Sequence, residues 1–195
     1  MILFATNNTH KLQEVKDILP GYKIVSLKEM NIKVDPDENG LTYEENALIK
    51  AREIAKYTDL PVLADDSGLE IEAMPNELGI HTARFQQGLP QVEKNKLVVK
   101  TLEGVENRKA KFVCCAVILT NGKEYKYTYE CHGSISHELK GTGGFGYNPI
   151  FIPNGFDLTY AEMDDETKYS ISHRGVAMRR LVEMIEKDGV TLWFM

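Results

Sequence analysis

Apolar residues recur along this chain in two alternating rhythms. A short run, MILFA, stops at Thr6-Asn7-Asn8. Leu12, Val15, Ile18 and Leu19 then follow at helical spacing, and Pro20-Gly21 closes that helix. Residues 22 to 27 read as a second strand, and KVDPDENG, residues 33 to 40, as a polar acidic loop. Thr42-x-x-Glu45 is a capping box, in which the hydroxyl takes the third helical N–H and the carboxylate reaches back. The helix after it sets Leu48, Ala51, Ile54 and Ala55 on one face. Leu60-Pro61 leads into a strand, VLA, which is expected to end at Asp65-Asp66-Ser67-Gly68.

The second half opens with a helix from about Val92 to Leu102, stopped by Gly104. KFVCCAVILT and KEYKYTYEC follow, joined by Asn121-Gly122, a strong two-residue hairpin signal. Tyr125, Tyr127 and Tyr129 alternate and so share one face. Residues 141 to 148, GTGGFGYN, are the stretch richest in glycine. Ser172 is expected to cap a last helix that carries Ala177, Leu181, Met184 and Ile185 and ends at Gly189. Strands and helices interleave, with one hairpin. An α/β fold follows, a mixed sheet flanked by helices, in one domain or two tightly joined lobes around a cleft.

Composition narrows the function more than the fold. The formal net charge of -6 argues against a general nucleic-acid surface. The longest apolar run, FVCCAVIL, is too short for a bilayer, which takes about 20 residues. No basic-then-apolar leader is read, so a cytoplasmic protein without a membrane partner is expected. Cys114, Cys115 and Cys131 are odd in number and lack metal or redox spacing; they read as buried small hydrophobes.

Four constellations carry candidate chemistry. In Thr6-x-Asn8-x-x-Lys11 a strand feeds a helix, so backbone N–H groups and the helix dipole favour an anion, and Lys11 adds a charge suited to phosphate. Alone, this stretch reads more readily as an Asn8 helix cap. Asp65 and Asp66 sit at a strand end, where α/β sheets bind ligands, and two adjacent carboxylates favour a cation such as Mg²⁺. The turn reading of DDSG stands beside that one. The acidic loop offers Asp35, Asp37 and Glu38, which alone would be a solvated charge run. GTGGFGYNPIF has the spacing of a dinucleotide fingerprint but lacks the strand–glycine–helix unit. Its Phe145 and Tyr147 could face a base. Downstream stand Lys168 and the pair His173-Arg174, at a helix N-terminus that suits an arginine only when an anion or carbonyl is near. Phosphate, metal and base together make a nucleotide.

TNNTHK, GLTYEENALIKAR, ADDSGLEI, GTGGFGYNPIF and SHRGVAM occur in this order, from Thr6 to about Met178. In this the chain resembles the inosine triphosphate pyrophosphatase family, the XTP/dITP diphosphatases of bacteria. The resemblance implies a two-lobed α/β fold around a long mixed sheet, Mg²⁺ as cofactor and a homodimer. It implies hydrolysis of ITP, dITP and XTP to monophosphate and pyrophosphate, which clears deaminated purines from the nucleotide pool. Carried over by motif, Thr6, Asn7, Asn8, Thr9, His10 and Lys11 hold the triphosphate. Asp66 serves metal and water, and Ser67 touches substrate. Phe145, Gly146, Tyr147, Asn148, Lys168, His173 and Arg174 line the base pocket. The acidic loop supplies a second metal carboxylate, Glu38 first and Asp37 second. Apart from the motifs, Lys50, on the helix after the capping box, reads either as a further phosphate contact or as an exposed helix lysine. Many members carry Asp where this chain has Asn148, which keeps an acceptor, adds a donor and loses the charge. A non-hydrolytic purine-nucleotide regulator is the rival reading, and it would have no need of the carboxylates.

Overall fold

In the computed structural model, residues 1–192 are described. The chain runs β1 (Ile2–Phe4), α1 (Thr9–Ile18), β2 (Ile24–Ser26), α2 (Tyr43–Ile54) and β3 (Val62–Ile71). Then come α3 (Gln91–Thr101), β4 (Lys109–Thr120), β5 (Lys123–Ile135), β6 (Phe151–Pro153), α4 (Asp165–Ile171) and α5 (His173–Lys187). The six strands form one sheet in the order β2-β1-β3-β4-β5-β6. β1 is parallel to β2 and to β3, while β5 and β6 are antiparallel. The sheet is therefore mixed, as the interleaved pattern requires.

Local chemistry sets several boundaries. Thr42 caps α2 by accepting from the Glu45 N–H at 3.1 Å, and the Glu45 carboxylate accepts from the Leu41 N–H at 2.6 Å. Asn121 and Gly122 have φ of 51° and 71°, the two left-handed residues of a tight hairpin between β4 and β5. Ala177, Leu181 and Ile185 of α5 are wholly buried, but Met184 is exposed and lies off the apolar face. The sequence pattern passed over α4, a helix of seven residues capped by Asp164, because so short a segment shows less than two turns of periodicity.

One expectation is overturned. DDSG does not turn; β3 continues through it to Ile71. Gly68 makes this possible. A Cβ there would lie 2.1 Å from the Gly79 carbonyl oxygen, so only glycine lets the strand pass the short 3₁₀ turn Gly79–His81. Thr82 fastens the same crossing, its hydroxyl accepting from the Leu69 N–H at 2.9 Å.

The chain divides into two compact units. The first comprises Met1–Asp66, Cys114–Tyr129 and the chain from Arg174 on; the second comprises Ser67–Val113 and Glu130–His173. In the first, Leu3, Val25, Ala47, Ala51, Ile54, Val62, Cys115 and Val117 form one apolar cluster. In the second, Phe112 meets the rings of Phe151 edge-on at 4.8 Å and of Tyr160 stacked at 5.8 Å. All three cysteines are buried and free, as expected. The apolar tail Trp193-Phe194-Met195 lies outside the described residues. No helix among the described residues is long and apolar enough to cross a membrane.

Candidate active site

The first unit gathers charge. Because β3 is extended at Asp65 and Asp66, their side chains leave the strand in opposite directions. Asp65 is almost wholly buried, at 1% exposure. Lys11 reaches one of its oxygens at 3.3 Å, and Arg174 Nε donates to the other at 3.1 Å. The Cys114 thiol lies 3.8 Å from that second oxygen. Burial alone would raise the Asp65 acid, but Lys11, Arg174 and Lys50 outweigh it and hold the carboxyl far below the usual range. Asp66 behaves in the opposite way. Burial, with a smaller push from Glu38, raises its acid against the pull of Lys50, Lys11 and the Asn46 amide. Asn46 Nδ2 donates to Asp66 at 3.1 Å.

The acidic loop joins this cluster through Glu38, whose carboxylate pairs with Lys50 at 3.0 Å. Burial works against the Lys50 ammonium, and the charges of Asp65, Glu38 and Asp66 more than restore it. Asp37 is exposed. Asp35 accepts from the Asn7 amide at 2.9 Å, which ties the loop to TNNTHK. Within that stretch, Asn8 caps α1, accepting from the His10 and Lys11 N–H groups at 2.9 and 3.1 Å. The Thr6 hydroxyl accepts from the Asn8 N–H at 3.1 Å. Thr9 and His10 are exposed.

Arg174 is where the structure departs most from the sequence expectation. Expected beside Lys168 and His173 at a base, it falls in the first unit. Its Nε is on Asp65, and a terminal nitrogen is on Glu14 at 2.6 Å. The anion that an arginine near a helix N-terminus requires is thus a pair of carboxylates. A buried aspartate draws the guanidinium inward, since either charge alone would be costly to bury.

The second unit gathers aromatic rings and amides. Tyr147 and Asn148 are buried, and Ser67, Phe145 and Gly146 are half-buried. The Asn148 amide, turned so that its nitrogen faces the Phe145 carbonyl, meets that carbonyl and the Phe145 N–H at 3.2 Å each. Gly144 leaves room for it: a Cβ there would lie 2.0 Å from the same amide. Lys168 is buried at 3% exposure, with its ammonium 2.9 Å from Asp165 and 4.7 Å from the Tyr169 ring centroid. His173 stacks on Phe112, ring centroids 4.5 Å apart.

The Ham1 family profile matches residues 2–184 of the chain. The chain belongs to the Ham1 family. A relative from Treponema denticola, named dITP/XTP pyrophosphatase, is 40% identical over 95% of this chain and 98% of its own length. One of the same name from Dictyoglomus thermophilum is 43% identical over 93% and 92%. Among solved structures, the Ham1 protein of Staphylococcus aureus superposes with a TM-score of 0.84 at 33% identity, covering 96% of this chain and 98% of that one. The mixed α/β sheet with flanking helices is therefore the Ham1 fold.

Sequence reasoning missed three residues of this Ham1 chain's charged cluster. Glu14 and Asn46 lie on the amphipathic helices α1 and α2, and Cys114 on β4, a strand buried on both faces. The signal that could have found Asn46 is its place at a core-facing helical position, one before Ala47, where an amide needs a partner. Among the described residues, no three His, Cys, Asp or Glu side chains are grouped as a metal cage. Mg²⁺ is commonly held by one or two carboxylates together with substrate phosphates. Asp66 and Glu38, close enough for the Glu38 charge to raise the Asp66 pKa, are two carboxylates that could hold such an ion.

Proposed function

We propose that this chain hydrolyses the non-canonical purine nucleoside triphosphates ITP, dITP and XTP to monophosphate and pyrophosphate. It does so with Mg²⁺, as a cytoplasmic homodimer. The relatives' shared name supports the reaction. The observation that carries it to these residues is the Asp66 carboxyl, its pKa raised by burial and by Glu38 although Lys50 and the Asn46 amide stand beside it.

The triphosphate falls to Lys11, Lys50 and TNNTHK, and the purine to Phe145, Gly146, Tyr147, Asn148, Lys168 and His173. Lys11 and Lys50, now on Asp65 and Glu38, turn their ammonium groups to phosphate oxygens and stabilise the charge that develops there. TNNTHK adds N–H groups at the start of α1. Mg²⁺, when bound by Asp66 and Glu38 with Asp37 in reserve, supplies positive charge at the phosphates. Asp66 orients a water toward the α-phosphorus and takes its proton, a task suited to a carboxylate with a raised pKa. The α–β anhydride bond breaks and pyrophosphate leaves. Arg174 acts through Asp65, keeping it ionised and in place, rather than on the base.

Discrimination against adenine comes from position 6 of the purine, whereas guanine shares the keto group there and must be told apart at position 2. Lys168 donates to a keto oxygen and would face an amino group in adenine. Facing that amino group forfeits a charge-assisted hydrogen bond that the keto oxygen would accept, so ATP is disfavoured. The test is product analysis with ITP, XTP, GTP and ATP in Mg²⁺. Pyrophosphate from ITP and XTP, with little from ATP, is expected. Equal ATP turnover would refute the selectivity, and orthophosphate release would refute the bond assigned to cleavage.

A further inference from the structure

The aromatic loop of the second unit is fastened from α3, a helix to which the sequence pattern gives no function. Asn95 on α3 is 1% exposed. Its Nδ2 donates to the Gly146 carbonyl at 3.0 Å, and its Oδ1 accepts from Gln91 Nε2 at 3.1 Å. Gln91 also acts on the Tyr147 hydroxyl, drawing its pKa down against burial, and that hydroxyl donates to the Thr82 carbonyl at 3.4 Å. From within the loop, Asn148 braces the Phe145 backbone through both its N–H and its carbonyl. Two buried amides therefore fix consecutive peptide groups of one short segment.

A buried amide is an expensive way to fill space, because each of its polar atoms must find a partner. Asn95 finds two, and both lead to the loop: one directly at Gly146, the other through Gln91 at Tyr147. Gly146 has φ of 63°, a conformation with no intrinsic hold on its neighbours. The orientation of Phe145 and Tyr147 thus depends on what grips the Gly146 carbonyl between them. The geometry points to Asn95 and Gln91 as positioning residues for purine recognition, setting the ring planes of Phe145 and Tyr147 without touching the base. This rests on the assignment of Phe145 to Asn148 to the purine.

Asn95→Asp keeps the acceptor for Gln91 and loses the donor to Gly146. Gln91→Ala, at a half-buried site, releases Tyr147 with little risk to folding. Both variants are compared with the unchanged protein by amide hydrogen exchange across residues 143–148 and by steady-state kinetics with ITP and ATP. Expected are faster exchange at Gly146 and Tyr147 and a KM for ITP raised about tenfold in Asn95→Asp and about threefold in Gln91→Ala. The preference for ITP over ATP narrows by similar factors, and kcat stays within about twofold. Unchanged exchange overturns the clamp. Faster exchange with unchanged KM and selectivity, or a fall in kcat alone, overturns its role in recognition. If the unchanged protein releases no pyrophosphate from ITP, dITP or XTP, the nucleotide reading fails instead, and the exchange data still decide whether α3 holds the loop.

Discussion

The two units solve the problem of a buried polar site in different ways. The first balances charge against charge: Asp65, Asp66, Glu38 and Glu14 against Lys11, Lys50 and Arg174. The second uses mainly neutral groups around its loop: glycines, two asparagine amides and aromatic rings. Charge pairs are strong but tolerant of small displacements, since Coulomb energy falls slowly with distance. Amide and glycine contacts are weaker and demand exact geometry. The first unit suits phosphates, whose charge dominates recognition. The second suits a base, where one exocyclic atom must be told from another.

That contrast can be broken at four points. Asp66→Asn keeps the shape of the first unit and removes its base; kcat/KM for ITP should fall about a thousandfold, read by pyrophosphate release. Arg174→Met leaves Asp65 short of a partner in a buried place. Chemical unfolding should show a loss of about 3 kcal/mol, with Arg174→Lys recovering part of it. Gly144→Ala drives a methyl against the Asn148 amide at φ of 70°. It should cost about 2 kcal/mol and raise KM more than it lowers kcat, the reverse of the Asp66 variant. The mildest lever is acid. Asp65 has a depressed folded pKa, so its stabilisation is complete above the ordinary carboxylate range and is lost as pH falls below it. In metal-free protein, stability should then decline by at most about 1.4 kcal/mol per pH unit from this group, and Asp65→Asn should flatten that slope.

Much of this was legible in the chain. The hairpin at Asn121-Gly122, the Thr42 cap and the mixed sheet follow from local rules that depend on a few neighbouring residues. The DDSG strand was not legible, because turn composition describes the segment alone. The constraint that keeps it extended is the Gly79 carbonyl, a tertiary contact eleven positions away. The contacts of Arg174 with Asp65 and Glu14 were not legible for a like reason. Its neighbour His173 stacks in the second unit, and sequence adjacency suggested a shared task. Asn46 could be found only from its core-facing helical position, and Asn95 gave no signal, because a buried amide and an exposed one look alike until the partner is known.

The boundary between the units passes between Asp66 and Ser67 and again between His173 and Arg174. Two motifs that read as indivisible words are therefore each split between separate packing units. For recombination, neither unit is a cassette. The aromatic unit consists of two chain segments, Ser67–Val113 and Glu130–His173, and exchanging it with a relative's would need both swapped together, with two of the joins inside a motif. Change in base preference should therefore accumulate residue by residue within a lineage, and chimeras assembled from blocks of sequence should lose activity wherever a block ends at either seam.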